Sequence, residues 1–427
     1  IDIDASSRID VSSRGYPISY YSGPDFSYDT RRSCHGGNRQ ELSGDCTYGR
    51  YQRAAFAGSA GSSGSGYNAR GGGFVELHGG ELILDGAILA GGARAYSWGG
   101  AGGGIHVAVD TLRGIGTMSA TGASSIYKGT NQSAGGGGRI SVHARDFSLF
   151  TGRYQMQTGP VEPAGAGTAY QLDLDDEYGH LLVDNNGYAA PSNSTPIRSV
   201  GRHEIVAVSE LEPGRWLVEV AGSPWRATDL ALGWGLQGID VDLDAADDLS
   251  PLYPIVENTA QGLVIDTPDD LTPLVGNELL GVHIFETITI KGKASVSFGE
   301  DRVVVLDPAN SFVESGAYVG VGVFDDSLVG VAESSSGLIR VHEAVTVPAL
   351  DVTGGVLEFR GGLSVTGTLS ISDGAAVTVP TLSVNDLLLT ASTLTTEVLD
   401  VVGDITLRSS GVITTYYTSA SVGRVYE

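Results

Sequence analysis

Three glycine-led strand signatures recur in the first part of the chain, and they limit its fold more than any other feature. They are GGGFVELHGGELILDGAILAGGA at 71–93, GGGIHVAVDTLRGIGTMSATGA at 102–123 and GGGGRISVHARDFSL at 135–149. Their first inward aliphatics are Val75, Ile105 and Ile140, at steps of 30 and 35 residues. A step of that size, made of several short strands, suits one turn of a β-solenoid. Each turn buries an aliphatic row and pairs its backbone with the turns on either side. The glycine blocks then have a mechanical reason: corners need positive φ, and stacked turns need close backbone approach. RIDVSSRGY at 8–16 resembles the GAILAGGA half of the first repeat, which predicts an earlier turn there. The Gly-Ser stretch at 57–66 is expected to be a loop projecting from the wall.

Helical periodicity is scarce throughout, while short Val-, Ile-, Thr- and Leu-rich runs alternate with period two between Gly, Asn, Asp and Ser. The chain is therefore expected to be all-β, in three stretches. Residues 1–172 form a Gly-rich solenoid. Residues 173–307 lose glycine and gain Trp216, Trp225 and Trp234, which suits a β-rich middle domain. Residues 308–427 become repetitive again. LSVTGTLSI (363–371) and LDVVGDITL (399–407) share aliphatics at matching places: Leu363, Val365, Leu369 and Ile371 against Leu399, Val401, Ile405 and Leu407. LDVTGGVLEF (350–359) and LSVNDLLLTA (382–391) fit the pattern loosely, as further rungs of a narrower solenoid.

Composition removes several classes of function. The 427 residues carry a net charge of −25, with 25 Lys and Arg against 50 acids. Such a chain lacks the clustered cations that nucleic acid or anionic lipid requires, so neither is expected as a partner. No apolar run reaches the roughly 18–20 residues that span a bilayer, so no membrane insertion is expected. The start lacks a Met, a basic region and an apolar region, so a signal peptide is expected to be absent or already removed. The only lysines are Lys128, Lys291 and Lys293. An Asp-rich, Lys-poor surface fits either the composition bias of a secreted protein or a salty, calcium-rich setting.

The Gly-rich region resembles a module of very large bacterial surface and secreted proteins. The matching residues are CHGG (34–37), YG (48–49), GSG (64–66), GGGFVEL (71–77), DGAILAGG (85–92), GAGGGIHV (100–107), GIGTMSATGA (114–123), GGGGRISV (135–142), AGTAY (166–170) and YGHLLVDNNG (178–187). NTAQGLVID (258–266) and LLGVHIFETITIKGKASVSFGEDRVVVL (279–306) look like the segment that often follows. The resemblance spans about two thirds of the chain. It implies a β-helical structural segment of an adhesin-like or fibre-like protein, with no catalytic residues to carry over. Cys34 stands where the family usually has Ser.

Candidate sites are few. Cys34 and Cys46 lie in a loop and are close enough in sequence to close a structural disulfide, worth about 2–3 kcal/mol. On the repeat alignment, Glu76, His106 and Ser141 stack outward on one wall, with His78 and His143 in a second outward row. Asp173, Asp175 and Asp176 cluster in QLDLDDEYG, and Asp240, Asp242 and Asp244 alternate with apolar residues in GIDVDLDAADD. Carboxylates two apart on a strand share a face and repel unless a cation binds, so either group is a candidate structural Ca²⁺ site, against simple solvation. Tyr96, Trp98 and Tyr127 fall between repeats and could line a sugar-binding surface. No nucleophile elbow, HExxH or phosphate loop occurs.

The sequence thus predicts an all-β protein of right-handed parallel β-helix or β-solenoid segments around a β-rich domain. The expected function is non-enzymatic: an extracellular structural or adhesive element of a bacterial surface protein or fibre. Its expected partners are copies of itself, joined end to end into a filament, or extracellular polysaccharide, with no cofactor beyond the calcium. The alternatives are a β-helical polysaccharide lyase or glycoside hydrolase using Glu76, His106 and the acidic clusters, and a carbohydrate-binding module.

Overall fold

A computed structural model describes residues 1–17, 33–38, 46–61, 69–95, 97–126, 134–160, 163–190, 194–225, 235–245, 251–325, 327–333, 337–415 and 421–426. It is all-β with extensive parallel pairing; among the described residues the one α-helix is the short Ser327–Glu333. No helix among them is long and apolar enough to cross a membrane.

The glycine-led repeats stack as their spacing predicts. Strands Phe74–Leu84, Gly104–Arg113, Arg139–Asp146 and Thr168–Asp173 pair in parallel, with Val75 opposite Ile105, Ile105 opposite Ile140 and Ile140 opposite Ala169. All four side chains are buried. A second parallel sheet joins Arg8–Asp10, Ala87–Leu89, Thr117–Ser119 and Arg153–Gln155, and aligns Ile9, Ile88, Met118 and Tyr154. The early turn expected at 8–16 is therefore present. Side chains from the two sheets meet in one apolar core around Leu82, Ile88, Leu112 and Met118.

The glycine blocks are not corners. None of the glycines at 71–73, 102–104 and 135–138 has a positive φ. They run through the interior as layers joined backbone to backbone. Gly73 donates to Val11, Gly103 to Ala90, Gly138 to Ala120 and Gly167 to Met156, each at 2.7–2.8 Å. Neighbouring amides bond along the stack, Gly72 to Ala101 and Gly102 to Gly136, while Ala101 and Gly136 donate to a further layer at Ser59 and Ser33. An added Cβ on Gly72, Gly102 or Gly137 would overlap the carbonyl of Ala90, Ala120 or Met156. Close approach alone therefore selects glycine here. Residues 58–61, expected to project as part of a loop, belong to this buried lattice, where Gly58 donates to Gly72 and Gly61 to Ala69. Residues 62–66 of that stretch lie outside the described residues.

The first sheet runs on past residue 172. Thr168–Asp173 pairs antiparallel with His180–Asp184, which pairs in parallel with Thr287–Lys291. Between those last two strands the chain builds six strands, Arg202–Glu212, Arg215–Val220, Asp240–Asp242, Leu252–Asn258, Gly262–Asp266 and Glu278–Phe285, of a mainly antiparallel sheet that Arg302–Val305, further along the chain, completes as a seventh. Trp216 and Trp225 are buried in its separate core, with Val218, Leu263 and Leu279. Trp234 lies outside the described residues.

The last part stacks in parallel with a shorter step. Leu363, Leu382 and Leu399 are in register, as are Leu369, Leu387 and Ile405. LDVTGGVLEF aligns differently from its resemblance to 363–371: Leu350 stands against Leu369, not Leu363, and Val356 against Ala376. The period-two pattern alone fixes which face is inward, so a shift of this kind leaves burial intact and is invisible in the hydrophobic pattern.

Candidate functional site

The parallel wall carries the polar ladder that the repeat alignment predicts. Glu76, His106, Ser141 and Tyr170 form one outward row, and His78, Ala108, His143 and Leu172 the next. The rings stack edge to face: His78 and His106 centroids are 5.8 Å apart, His106 and His143 5.0 Å, and His143 and Tyr170 6.5 Å.

A strap covers this wall. Arg53 Nη2 donates to Glu76 Oε1 at 2.9 Å, the Ala54 amide donates to Ser141 Oγ at 2.8 Å, and His143 Nε2–H donates to the Gln52 carbonyl at 2.7 Å. His106 Nδ1 is hydrogen-bonded to Ser141 Oγ at 2.8 Å, and the residue is only 2% exposed. Burial, with His143 beside it, pushes His106 down to about 4. Hydrogen bonds from Arg53 and His78 hold the Glu76 carboxyl below its ordinary range. Glu76 and His106 are thus neighbours, but both are engaged, Glu76 by Arg53 and His78 and the buried His106 by Ser141.

Several members of the two acidic groups have partners within the chain. Asp175 pairs with Arg145 at 3.0 Å, and Asp173 accepts the Asp175 amide at 3.0 Å. Asp242 is buried, 3.7 Å from Arg302, and accepts the Asp244 amide at 3.0 Å. Asp244 lies beyond the end of the strand Asp240–Asp242. Among the described residues no three His, Cys, Asp or Glu side chains are placed to hold a metal ion, at Asp173, Asp175 and Asp176 or at Asp240, Asp242 and Asp244. At Asp173, Asp175 and Asp242 an arginine or a backbone amide supplies the partner that a cation was expected to supply. Of the proposed sugar-binding aromatics, Trp98 is half-buried, and Tyr96 and Tyr127 lie outside the described residues.

Cys34 and Cys46 form the expected disulfide, with Cα atoms 5.9 Å apart. They are not in a surface loop: both are buried, and the CHGG segment enters the glycine lattice, where Gly36 donates to Gly137. His35 stacks on Tyr48 at 4.7 Å, and its Nδ1–H donates to the Gly102 carbonyl at 2.9 Å. Burial, followed by the charge of Arg139, drives His35 down to about 3.

One cluster had no signal in the sequence. Tyr51 hydroxyl is 3.2 Å from His283 Nδ1, and His283 Nε2 is 3.1 Å from Asp301 Oδ2. Asp301 also accepts from Ser199 Oγ and from the amides of Val200 and Gly201 at 2.7–2.9 Å. This chain of polar groups fastens the strap to the inserted sheet. Its members are 232 and 18 residues apart, so no motif could reveal it.

The fold and wall define an all-β protein of in-register parallel repeats with a buried glycine lattice and one disulfide. No protein-family model matches the chain, and no curated protein matches it either.

Proposed function

We propose that this chain is a rigid extracellular structural and adhesive element of a bacterial surface protein or fibre. In this reading its repeats are right-handed β-solenoids, the seven-stranded sheet is an insertion, and copies associate through their strand edges or grip extracellular polysaccharide. The observation that carries the reading is the unbroken register of Val75, Ile105, Ile140 and Ala169 beside the glycine lattice. Backbone bonds in more than one direction make each repeat stiff against its neighbours, which a scaffold needs and a hinged catalytic cleft does not. The buried disulfide suits an oxidising compartment. The lyase or hydrolase reading is disfavoured by the pairing of Glu76 with Arg53 and His78 and by the burial of His106.

Small-angle scattering with negative-stain microscopy tests the proposal. The expected result is an elongated, uniform particle that lengthens or pairs with concentration and sediments with bacterial envelopes or insoluble polysaccharide. A compact particle that sediments with neither, or release of reducing or unsaturated sugar from polysaccharides, would overturn it.

A further inference from the structure

A cavity of about 240 Å³ opens where the parallel wall meets the inserted sheet, close to the Tyr51–His283 contact. Tyr51, Tyr170 and Tyr178 are among the residues that line it, together with Glu177, Asp240 and His143. The rings are held firmly. Tyr51 packs edge-on against Tyr170 at 5.3 Å, and Tyr170 hydroxyl accepts the Gly179 amide at 3.0 Å. Unlike the acids discussed above, Asp240 has no ion-pair or hydrogen-bond partner among the described residues. Burial and the charge of Glu177 push its carboxyl up to about 6, with His283 opposing.

We propose that this cavity binds a small organic ammonium ion, a primary or quaternary ammonium carried on a compact head such as an amino sugar, a lysine side chain or a choline group. Three tyrosines and two acidic residues at one cavity bring aromatic rings and counter-charge together, and a cation over an aromatic face gains about 0.5–2 kcal/mol. The other ligand classes fit less well. An anion meets two carboxylates. A divalent metal wants about six or more oxygen ligands, and no three metal-binding groups converge among the described residues. A neutral sugar leaves the Asp240–Glu177 repulsion unrelieved. The volume lies below the roughly 300–1,000 Å³ of pockets for drug-sized ligands, so it suits one ring or head group. The net charge of −25 raises the local concentration of any cation. This inference stands apart from the adhesive reading, because it concerns one cavity and not the repeats.

Calorimetric titration of the whole chain at pH 7.5 provides the test, with glucosamine, glucose, choline, Nα-acetyl-lysine amide and Ca²⁺ as separate probes. At least one ammonium probe is expected to saturate a single site at least tenfold more tightly than glucose. Comparison of the three ammonium probes distinguishes the sources. Asp240→Asn is expected to weaken that binding tenfold or more while circular dichroism stays native. Glu177→Gln, at an exposed position, does the same if Asp240→Asn does not fold. Equal binding of glucose and glucosamine, preferential binding of Ca²⁺, no binding of any ammonium probe, or unchanged affinity in a folded variant would each overturn the proposal.

Discussion

The amide of Gly103 donates to the carbonyl of Ala90 at 2.7 Å, while a β-carbon on Gly103 would overlap the carbonyl of Gly73 in the neighbouring repeat. The same bond recurs from Gly73 to Val11, Gly138 to Ala120 and Gly167 to Met156. A substitution there must move backbone, not merely a side chain. Gly103→Ala is therefore expected to cost about 3 kcal/mol or more. Gly187→Ala, at a φ of +81° with nothing within 4 Å, should cost only about 1 kcal/mol. Denaturant melts of the two variants check this, and equal losses would show that the lattice tolerates a methyl group.

The disulfide fastens the CHGG segment within the lattice. Replacing both Cys34 and Cys46 by Ser should lower unfolding stability by about 2–3 kcal/mol. The comparison is between oxidised parent and double variant in urea. A midpoint that does not move would mean that the lattice holds this segment unaided.

Two buried imidazoles make stability fall in mild acid. His35 is held near 3 and His106 near 4, against about 6.5 in an unfolded chain. Below pH 6.5 the unfolded chain takes up protons that the folded chain refuses, so acid favours unfolding. The loss begins near pH 6.5 and levels off near 4 for His106 and near 3 for His35. At pH 5 it is on the order of 2 kcal/mol for each. His106→Asn should therefore lose less stability than the parent between pH 7.5 and 5.0. Parallel pH curves for the two proteins would refute the assignment.

Asp301 gathers four donors or near neighbours in the interior: Ser199, two backbone amides and His283. Asp301→Ala leaves those groups buried without a partner and should cost about 3–5 kcal/mol. Tyr51→Phe removes only a hydroxyl that contacts His283, and its cost is expected near 1 kcal/mol. Thermal melts of both variants rank the two contacts, and the reverse order would show that Asp301 is not the anchor.

Much of the parallel architecture was legible because backbone stacking writes a local, periodic signal. Val75, Ile105 and Ile140 share a row, and so do Leu363 and Leu399 through Leu382. Each follows from side chains that alternate between two faces. The outward row of Glu76, His106 and Ser141 followed from the same alternation. What covers that row did not, since the strap comes from residues 51–54, outside the repeat.

The sequence by itself determined the all-β class, the inward rows, the excess of acid and the cysteine pair, because each is set by composition or by spacing along a few residues. Only the tertiary structure decided the rest: that the glycines form a buried lattice and not bends, that arginines pair with Asp175 and Asp242, and that Tyr51, Tyr170, Tyr178, Glu177 and Asp240 share one cavity. Those outcomes depend on which distant segments come to lie against each other, and no local period records that choice.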